Sequence, residues 1–261
     1  EDHHIDALLV IGGYSAYEGI YTMMTERDRY PAFRIPTVCI PASIDNNLPG
    51  SELSIGTDTA LNVIVEAMDK IKESGIASRR CFVVETMGRD CGYLALMSGI
   101  AAGAERIYTN EDGISLDDLA NDVHWLRESF AHGRRLFLAV RNENASHNYT
   151  TDFIARLLEE ESHGMYDVRQ VVLGHMQQGG SPSPFDRLLA NRLGYRALNL
   201  IDDELAAHQD GSWFIGVNES GMRPCSMDTM PSLIDAAHRR PREQWWLQLR
   251  TIARMVSDEV R

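Results

Sequence analysis

A short loop of polar residues holds the carboxylate that is best placed to do chemistry in this chain. The loop runs from Pro41 to Asn47, reads PASIDNN, follows the apolar run Ile35–Ile40, and has Asp45 as its only acid. A carboxylate held at the end of a strand can accept a proton from a substrate hydroxyl, as a general base does. It can equally accept a hydrogen bond from a bound ligand without any reaction. Whether Asp45 acts in catalysis or in binding therefore depends on the residues that surround it.

Four further polar segments follow predicted strands in the same way. They are rich in Gly, Asn, Gln, His and Arg, and they are Gly12–Ser15, Glu85–Asp90, Arg141–Asn144 and Gly174–Gly180. In an open parallel sheet, ligands collect at the carboxyl ends of the strands. Each segment alone is a weak signal, because loops after strands are often polar, but five together predict a binding cleft.

Alternating strand-like and helix-like segments must position these loops. Short apolar runs predict strands at Ala7–Ile11, Thr37–Ile40, Cys81–Glu85, Arg106–Tyr108, Leu136–Val140, Val171–Leu173 and Trp213–Val217. Helical periodicity predicts helices over Ala16–Thr25, Ser54–Ser74, Cys91–Ala102, Leu116–Phe130, Thr151–Glu160, Ser183–Leu200 and Gln244–Val256. Apolar strands that alternate with helices are typical of parallel sheets covered by helices. The predicted fold class is therefore α/β.

Composition and charge exclude several classes of function. The formal net charge of −13 disfavours a general nucleic-acid-binding surface, so any anion has to be met by a local basic pocket. No apolar run reaches membrane-spanning length. The four cysteines form no metal-type CxxC pair, and Cys39 and Cys81 lie in apolar runs, which favours buried, reduced thiols. The chain of 261 residues can form one large or two small domains, and its start without Met suggests a piece of a longer polypeptide.

Six segments carry motifs that are more specific than polarity alone. They are IGGYSAYEG (Ile11–Gly19), IPASIDNNLPGSELSIGTDTALN (Ile40–Asn62), ETMGRDCGYLA (Glu85–Ala95), RNENASHNYTTDF (Arg141–Phe153), VLGHMQQGGSPSPFDR (Val172–Arg187) and PREQWWLQLR (Pro241–Arg250). In this order they resemble the phosphofructokinase family, and specifically the carboxy-terminal half of its double-length eukaryotic type. The resemblance extends over nearly the whole chain.

The resemblance implies two Rossmann-like lobes, each built on a parallel sheet, with the N-terminal strands of the first lobe missing from this chain. On that basis we expect residues 1–56 and 176–225 to form a lobe like the family's nucleotide domain. Residues 57–175 and 226–261 would form the lobe that binds the sugar phosphate.

The resemblance also implies an activity for the whole protein, the transfer of a phosphoryl group from ATP to fructose 6-phosphate in glycolysis. The transfer uses Mg²⁺ to bridge the phosphates, with carboxylates holding the metal. Active halves have an Asp directly after the Gly-Gly pair and a second acid at the end of the SIDNN-type loop, where this chain has Tyr14 and Asn47. They have Gly and Ser where this chain has Ser15 and Ala16. We therefore expect no metal or cofactor in this half, and Gly12–Gly13 is interpreted as a tight turn.

The residues that match the sugar-phosphate side of the family's site are retained. Matches to phosphate-binding positions are Arg80, Arg169, His175 and Arg239. Matches that line the sugar pocket are Ser43, Ile44, Asp45, Asn46, Asn47, Met87, Gly88, Arg89, Glu143, Met176, Gln177 and Gln178. Guanidinium groups suit phosphate oxygens, and glycine allows close approach of the backbone to a ligand. Gln178 stands where active halves have an Arg and carboxy-terminal halves have a Gln.

Several of these residues have a plainer interpretation. Arg80 could be solvated at the entrance of a strand, His175 could cap a backbone carbonyl, and Glu143 could be a surface acid. The ordered match to the family favours the pocket over these alternatives. Trp245 and Trp246 are the exception, because packing in the core is the expected role of that pair.

Three functions are open at this point. The favoured one is a regulatory half that binds fructose 2,6-bisphosphate, or fructose 6-phosphate, in a former substrate site and shifts the oligomer toward its active arrangement. The second is a catalytic half with Asp45 as general base, since many regulatory halves have lost this acid. The third is a domain kept only for assembly. The resemblance further implies an amino-terminal catalytic half, a homo- or hetero-oligomer such as a tetramer with sites shared between subunits, and a cytoplasmic location.

Overall fold

The structure is a computed structural model that describes residues 4–75 and 77–258. In chain order the helices and strands are β1 (Leu8–Gly12), α1 (Tyr14–Thr25), β2 (Thr37–Pro41), α2 (Thr57–Gly75), β3 (Arg80–Thr86), α3 (Tyr93–Ala102), β4 (Arg106–Tyr108), α4 (Leu116–Ala131), β5 (Leu136–Asn142), α5 (Thr151–Glu161), β6 (Asp167–Val172), α6 (Pro184–Ala206), β7 (Ser212–Asn218), β8 (Gly221–Ser226), α7 (Met230–Leu233), β9 (Ile234–Asp235), β10 (Arg240–Pro241) and α8 (Arg250–Asp258). Short 3₁₀ turns occur at Pro31–Phe33, Gly174–Gln178, Met227–Thr229 and Trp245–Leu249.

The chain forms two compact units. The first consists of the residues up to Asp58 together with Pro182–Trp245, and the second of Thr59–Ser181 together with the residues from Trp246 onward. Each unit contains its own four-stranded sheet. The predicted α/β fold class is confirmed.

The first unit is built on a sheet with the strand order β1-β2-β7-β8. The strands β1, β2 and β7 are parallel, and β8 pairs with β7 antiparallel. All five residues of β2 are buried, because helices cover both faces of the sheet. Val38 and Ile40 pack with α6 residues, whereas Cys39 packs with Tyr17 of α1 and with Phe214. The alternation of these side chains follows from the two-residue period of a strand.

The second unit contains a fully parallel sheet with the order β4-β5-β3-β6. Arg80 of β3 pairs with Leu136 of β5 on one side and with Asp167 of β6 on the other. The central strand β3 is buried over most of its length, whereas β6 is an edge strand with mostly exposed residues. This arrangement brings the carboxyl ends of β3, β5 and β6 to one edge of the sheet.

Three segments differ from the pattern that the sequence predicts. The strand β6 begins at Asp167 and not at Val171, because an edge strand does not need an apolar run. The strand β8 was not predicted, since its sequence GMRPCS contains Gly and Pro and only a few apolar residues. The helix expected over Gln244–Val256 is a 3₁₀ turn at Trp245–Leu249 followed by α8.

The structure also divides the chain at other residues than the predicted lobe boundaries. Residues 226–245 lie in the first unit, whereas the family resemblance predicts them in the second lobe. Met227, Met230 and Ile234 belong to the same core cluster as Phe214, and this packing explains their place in the first unit. Residues 176–181 lie in the second unit, where Gln177 hydrogen-bonds to the backbone after β3.

Two cysteines and a tryptophan are buried, as the sequence predicts. Cys39 and Cys81 are free and fully buried, as the apolar runs predicted. Trp246 is 2% exposed and packs edge to face against Tyr93, which confirms a packing role. Within the described part of the chain, no helix has both the length and the apolar character that a bilayer span requires.

Candidate ligand-binding site

A sharp turn directly after β3 is the centre of the candidate site in the second unit. The turn contains Gly88 with φ of +133° and Arg89 with φ of +47°. A Cβ atom on Gly88 would lie 2.4 Å from the carbonyl oxygen of Cys91 and 2.8 Å from Nδ2 of Asn142. Only glycine fits this position, so the backbone of the turn is set by the sequence. The buried Asn142 donates from Nδ2 to the carbonyl of Cys91 at 3.4 Å.

Glu143 holds this turn from the neighbouring strand. Its Oε1 atom accepts hydrogen bonds from the backbone N–H groups of Gly88 at 3.1 Å and Arg89 at 2.7 Å. Its own backbone N–H donates to the carbonyl of Thr86 at 2.9 Å. Among the described residues, no hydrogen bond reaches Oε2 of Glu143. The side chain is therefore not a solvated surface acid, and one of its oxygens remains open to a ligand hydroxyl.

Gln177 supports the turn from the segment that follows β6. It is 1% exposed, and its Oε1 atom accepts a hydrogen bond from the backbone N–H of Met87 at 3.2 Å. Its Nε2 group donates to the carbonyl of Gly174 at 2.9 Å. Gln177 is thus buried with both ends of its amide paired within the protein, and its contact with a ligand stays a prediction. The neighbouring His175, Met176 and Gln178 are exposed.

Arg141 is a component of the site that sequence reasoning missed. It is 1% exposed, lies in β5 two residues before Glu143, and donates to the backbone carbonyls of Glu143 at 2.9 Å, Ser146 at 2.6 Å and Tyr149 at 3.2 Å. It also pairs with the carboxylate of Glu85 at 2.9 Å. Burial lowers the pKa of Arg141, and the negative charge of Glu85 opposes that shift. The signal in the sequence was an arginine at the end of an apolar strand.

Arg80 and Arg169 lie far from the turn within the second unit. Arg80 opens β3 and Thr86 closes it, and these six residue steps correspond to roughly 20 Å of strand. The register pairs Arg80 with Asp167, so Arg80 and Arg169 occupy the same face of the sheet two residues apart. Arg80 donates to the carbonyl of Ser74 at 3.5 Å. The structure thus brings the two arginines together but separates them from Glu143.

The loop that holds Asp45 is ordered by its own polar side chains in the first unit. Asn46 is buried with φ of +52°, and it donates from Nδ2 to the carbonyl of Glu52 at 2.7 Å. The carbonyl of Ser43 accepts hydrogen bonds from the hydroxyls of Ser54 at 2.5 Å and Thr57 at 2.8 Å. Ile44 and Asp45 are half-buried on this loop. The loop is therefore a built structure and not a flexible linker.

Tyr14, Glu18 and Arg239 lie next to this loop, and we call these three residues the Tyr14 corner. Asn47 donates from Nδ2 to the carbonyl of Arg239 at 3.0 Å. The guanidinium of Arg239 lies 5.7 Å from the ring centre of Tyr14, and it lies 3.9 Å from the carboxylate of Glu18. Burial raises the pKa of Tyr14, Glu18 adds to the rise, and Arg239 opposes it. The phenol therefore stays neutral near pH 7.

Comparison with known proteins agrees with the motifs. A family model described as Phosphofructokinase matches residues 1–201 of the chain. The chain belongs to this family. ATP-dependent 6-phosphofructokinase, platelet type, from Rattus norvegicus is 42% identical over 264 residues, which cover 97% of this chain and 34% of that protein. The muscle type from Homo sapiens is 42% identical over 265 residues, with coverage of 97% and 34%.

Solved phosphofructokinase structures show the same fold. The chain is similar to phosphofructokinase from Saccharomyces cerevisiae with a TM-score of 0.94 and 34% identity, covering 99% of this chain and 36% of that one. A pyrophosphate-dependent phosphofructokinase from Marinobacter aquaeolei matches with a TM-score of 0.70 at 17% identity, which shows the fold alone. The chain spans about a third of the length of the curated relatives that it matches.

The residues at the Tyr14 corner do not fit a magnesium–nucleotide complex. Tyr14 is buried and offers a phenol rather than a carboxylate, and the amide of Asn47 donates to the backbone carbonyl of Arg239. Gly12 and Gly13 connect β1 to α1, and a Cβ on Gly12 would lie 2.6 Å from Cβ of Ala16. The described residues also contain no group of three or more His, Cys, Asp or Glu side chains that could hold a metal. Mg²⁺ prefers carboxylate and phosphate oxygens, and at this corner the carboxylate of Glu18 lies 3.9 Å from the guanidinium of Arg239.

Proposed function

We propose that this chain is part of an ATP-dependent 6-phosphofructokinase and serves in it as an allosteric module for fructose 2,6-bisphosphate. The whole protein would convert ATP and fructose 6-phosphate into ADP and fructose 1,6-bisphosphate in cytoplasmic glycolysis. One observation supports the regulatory role: Glu143 accepts two backbone hydrogen bonds from the turn at Met87–Arg89, whereas Tyr14 offers no carboxylate to a metal. A chain that has a sugar-binding turn in one unit and no metal-binding acid at the Tyr14 corner of the other suits binding without phosphoryl transfer.

The turn offers a suitable surface for a sugar. Oε2 of Glu143 can accept a hydrogen bond from a sugar hydroxyl, while Oε1 remains bound to the backbone of the turn. Gly88 lets the backbone fold closely against Cys91 and Asn142, which keeps the two N–H groups of the turn on Glu143. The exposed side chain of Arg89 adds a positive charge beside the same surface. In the first unit, Ser43, Asp45, Asn46 and Asn47 are proposed as hydroxyl-binding residues of their own loop.

Phosphate recognition is proposed to involve a second subunit. Arg80 and Arg169 share a face of the sheet but lie at the end opposite to Glu143. They are therefore better placed to serve the site of a neighbouring copy than the site of their own unit. Paired guanidinium groups bind phosphate oxygens strongly, and they can do so within an acidic chain. Arg239 and His175 are further proposed phosphate ligands, and the whole protein is proposed to be an oligomer such as a tetramer.

The regulatory mechanism would be thermodynamic linkage. A bisphosphate held between subunits binds the arrangement in which both subunits face the site, so it shifts the population toward that arrangement. The size of the shift is set by the difference in affinity between the two arrangements. An amino-terminal half in the same protein would carry out the reaction.

A catalytic half remains the second candidate because of Asp45. The acid is retained and half-buried on an ordered loop, where it could accept the proton of a sugar hydroxyl. This function requires ATP and Mg²⁺ to be bound by other residues than Tyr14 and Asn47. A coupled kinase assay with an inactivated amino-terminal half decides between the two, because turnover that disappears in Asp45→Asn would establish catalysis here.

Calorimetry tests the favoured function directly. Titration of the protein with fructose 2,6-bisphosphate should show saturable binding, and Glu143→Gln should weaken it by about tenfold, since a charged hydrogen-bond acceptor becomes neutral. The matched control is Glu160→Gln, an exposed glutamate on α5 that is remote from the turn in sequence. Absence of binding, or equal affinity in Glu143→Gln and the control, would contradict the proposal.

A further inference from the structure

The outer face of helix α6, in the first unit, carries a stripe of exposed apolar side chains. Leu188 is 65% exposed and Tyr195 is 72% exposed, and Leu198 and Leu205 are exposed as well. The opposite face of the helix packs on the sheet, where Leu193 is fully buried. The stripe therefore takes no part in the core of its unit, and an apolar patch of this kind marks an interaction surface.

Six exposed residues of α6 form two rows in which the spacing is seven residues. One row holds Leu188, Tyr195 and Asp202, and the other holds Asn191, Leu198 and Leu205. Side chains that repeat every seven residues stay close to one side of a helix, and two such rows form the contact surface of a helix pair. The outer face of α6 thus has the pattern of a helix that packs against another helix.

The two rows match each other when α6 is paired with an antiparallel copy of itself. In one register, Leu188 faces Leu205 of the second copy, and Tyr195 faces Leu198 of the second copy. A two-fold axis at the middle of the helix generates each of these pairs twice, as in any isologous contact. The apolar residues of the stripe are therefore all covered by the same stripe on the second copy.

The polar residues of the two rows are complementary in the same register. Asp202 of the second copy then lies opposite Asn191 and beside Arg192, and both of these side chains can donate to its carboxylate. Within the described part of the chain, neither Arg192 nor Asp202 forms an ion pair. A parallel pair would instead place like charges side by side, which is unfavourable. Charge complementarity thus favours an antiparallel second copy as the occupant of the stripe.

We propose that α6 pairs antiparallel with α6 of a second copy of this protein. Tyr195 and Leu198 form the centre of the contact, where buried aromatic side chains contribute strongly to association. Leu188 and Leu205 extend the contact toward both ends, over roughly 25 Å of helix. The contact involves only residues of the first unit, and it does not depend on the site proposed for fructose 2,6-bisphosphate.

Cross-linking between introduced cysteines tests the register. The parent is the full-length protein with Cys225→Ser, because the other three described cysteines are buried. Co-assembly of Leu188→Cys with Leu205→Cys, followed by a short bifunctional thiol reagent, should give covalent dimers. Either variant alone is the matched control, since its two thiols would lie roughly 25 Å apart in the pair.

The cross-linking result separates a second copy from other occupants of the stripe. Covalent dimers that form only in the mixture support the antiparallel pair. No cross-link in the mixture, or equal cross-linking in a single variant alone, would overturn the proposal. A different protein segment packed on α6 gives the first of these contrary results.

Charge exchange tests the same contact without a cross-link. Arg192→Asp should raise the dissociation constant of the oligomer by at least about tenfold in sedimentation velocity, because the two-fold axis repeats the repulsion from Asp202. Adding Asp202→Arg to the same chain exchanges the two charges and should restore association. Arg223→Asp is the control, since Arg223 is an exposed arginine on β8 of the same unit.

Equal dissociation constants in Arg192→Asp and Arg223→Asp, or no recovery in the double variant, would overturn the antiparallel pairing. Calorimetry of fructose 2,6-bisphosphate binding to the parent protein is a separate measurement. Retained bisphosphate binding with no cross-link counts against the α6 contact alone, whereas a cross-link without bisphosphate binding counts against the regulatory function alone.

Discussion

The backbone N–H of Arg89 donates a 2.7 Å hydrogen bond to Oε1 of Glu143, and this bond joins the ends of two neighbouring strands. Arg89 has a left-handed backbone with φ of +47°, and it follows Gly88, whose φ is +133°. The carboxylate of Glu143 thus fixes the turn with one oxygen and leaves the other for a ligand. The geometry of the turn and the position of the carboxylate depend on each other.

Replacement of Gly88 by alanine should damage the turn. The new Cβ would lie 2.4 Å from the carbonyl oxygen of Cys91, and the strained backbone alone costs about 1–3 kcal/mol. Chemical denaturation should show the loss of stability, and calorimetry should show loss of fructose 2,6-bisphosphate binding. Gly133→Ala is the matched control, because Gly133 has φ of +101° but no atom within 4 Å of the added Cβ. Equal bisphosphate affinity in the two variants would show that the turn does not shape the site.

Removal of the Arg141 guanidinium should destabilise the second unit strongly. Arg141→Met leaves Glu85 without its ion-pair partner, and breaking a buried pair in this way costs about 3–5 kcal/mol. Urea unfolding measures the change in the free energy of unfolding. Arg156→Met is the control, since Arg156 forms an exposed pair with Asp152 at 3.0 Å that contributes at most about 0.5 kcal/mol.

A double-mutant cycle separates the Arg141–Glu85 pair from general loss of packing. Arg141→Met combined with Glu85→Gln should be less destabilising than the sum of the two single changes, because the second change removes the unpaired charge. Additive effects would show that the ion pair itself contributes little.

Mixed oligomers test whether the phosphate-binding Arg169 is supplied to the site by a neighbouring subunit. Arg169→Ala and Glu143→Gln should each weaken fructose 2,6-bisphosphate binding when all subunits carry the change. Co-assembly of the two variants should restore a fraction of tight sites, because some sites then combine an intact Arg169 with an intact Glu143. Titration calorimetry on the purified hybrid measures this fraction. A hybrid in which every site is weak would place both residues in the site of a single chain.

The cysteines should differ sharply in reactivity. Burial raises the pKa of Cys39 to about 12 and that of Cys81 well above its ordinary value, whereas Cys225 is half-exposed with a smaller rise. Because the thiolate is the reactive form, Cys225 should react first with a disulfide reagent at pH 8, and Cys225→Ser should remove the fast phase. Rapid labelling of Cys39 in the native protein would contradict this order.

The raised pKa of Cys39 also predicts a loss of stability at alkaline pH. In the unfolded chain Cys39 ionises near its ordinary pKa of about 8.5. In the folded protein its pKa is about 12, so the native state retains the proton longer. The contribution of Cys39 to stability is therefore complete below about pH 8.5 and is lost as the pH rises toward 12. Cys39→Ala should show a smaller fall in the free energy of unfolding between pH 8 and 10.

The sequence predicted the buried elements well and the exposed ones poorly. Central strands such as β2 and β3 are apolar on both faces, and that local pattern is visible without any partner strand. The edge strand β6 and the antiparallel β8 are defined by their pairing, so their composition gives little signal. The 3₁₀ turn before α8 escaped prediction for a similar reason, because Trp246 is held by packing against Tyr93.

By itself, the sequence determined the family, the α/β fold class and the residue types at the ends of the strands, because motifs and apolar periods are properties of the chain. Only the tertiary structure decided which of those residues meet. It made Gln177 a buried support, revealed Arg141 as the anchor of the Glu143 loop, and placed Arg80 and Arg169 at the far end of their sheet. These outcomes depend on strand register and burial, which arise only when distant segments pack together.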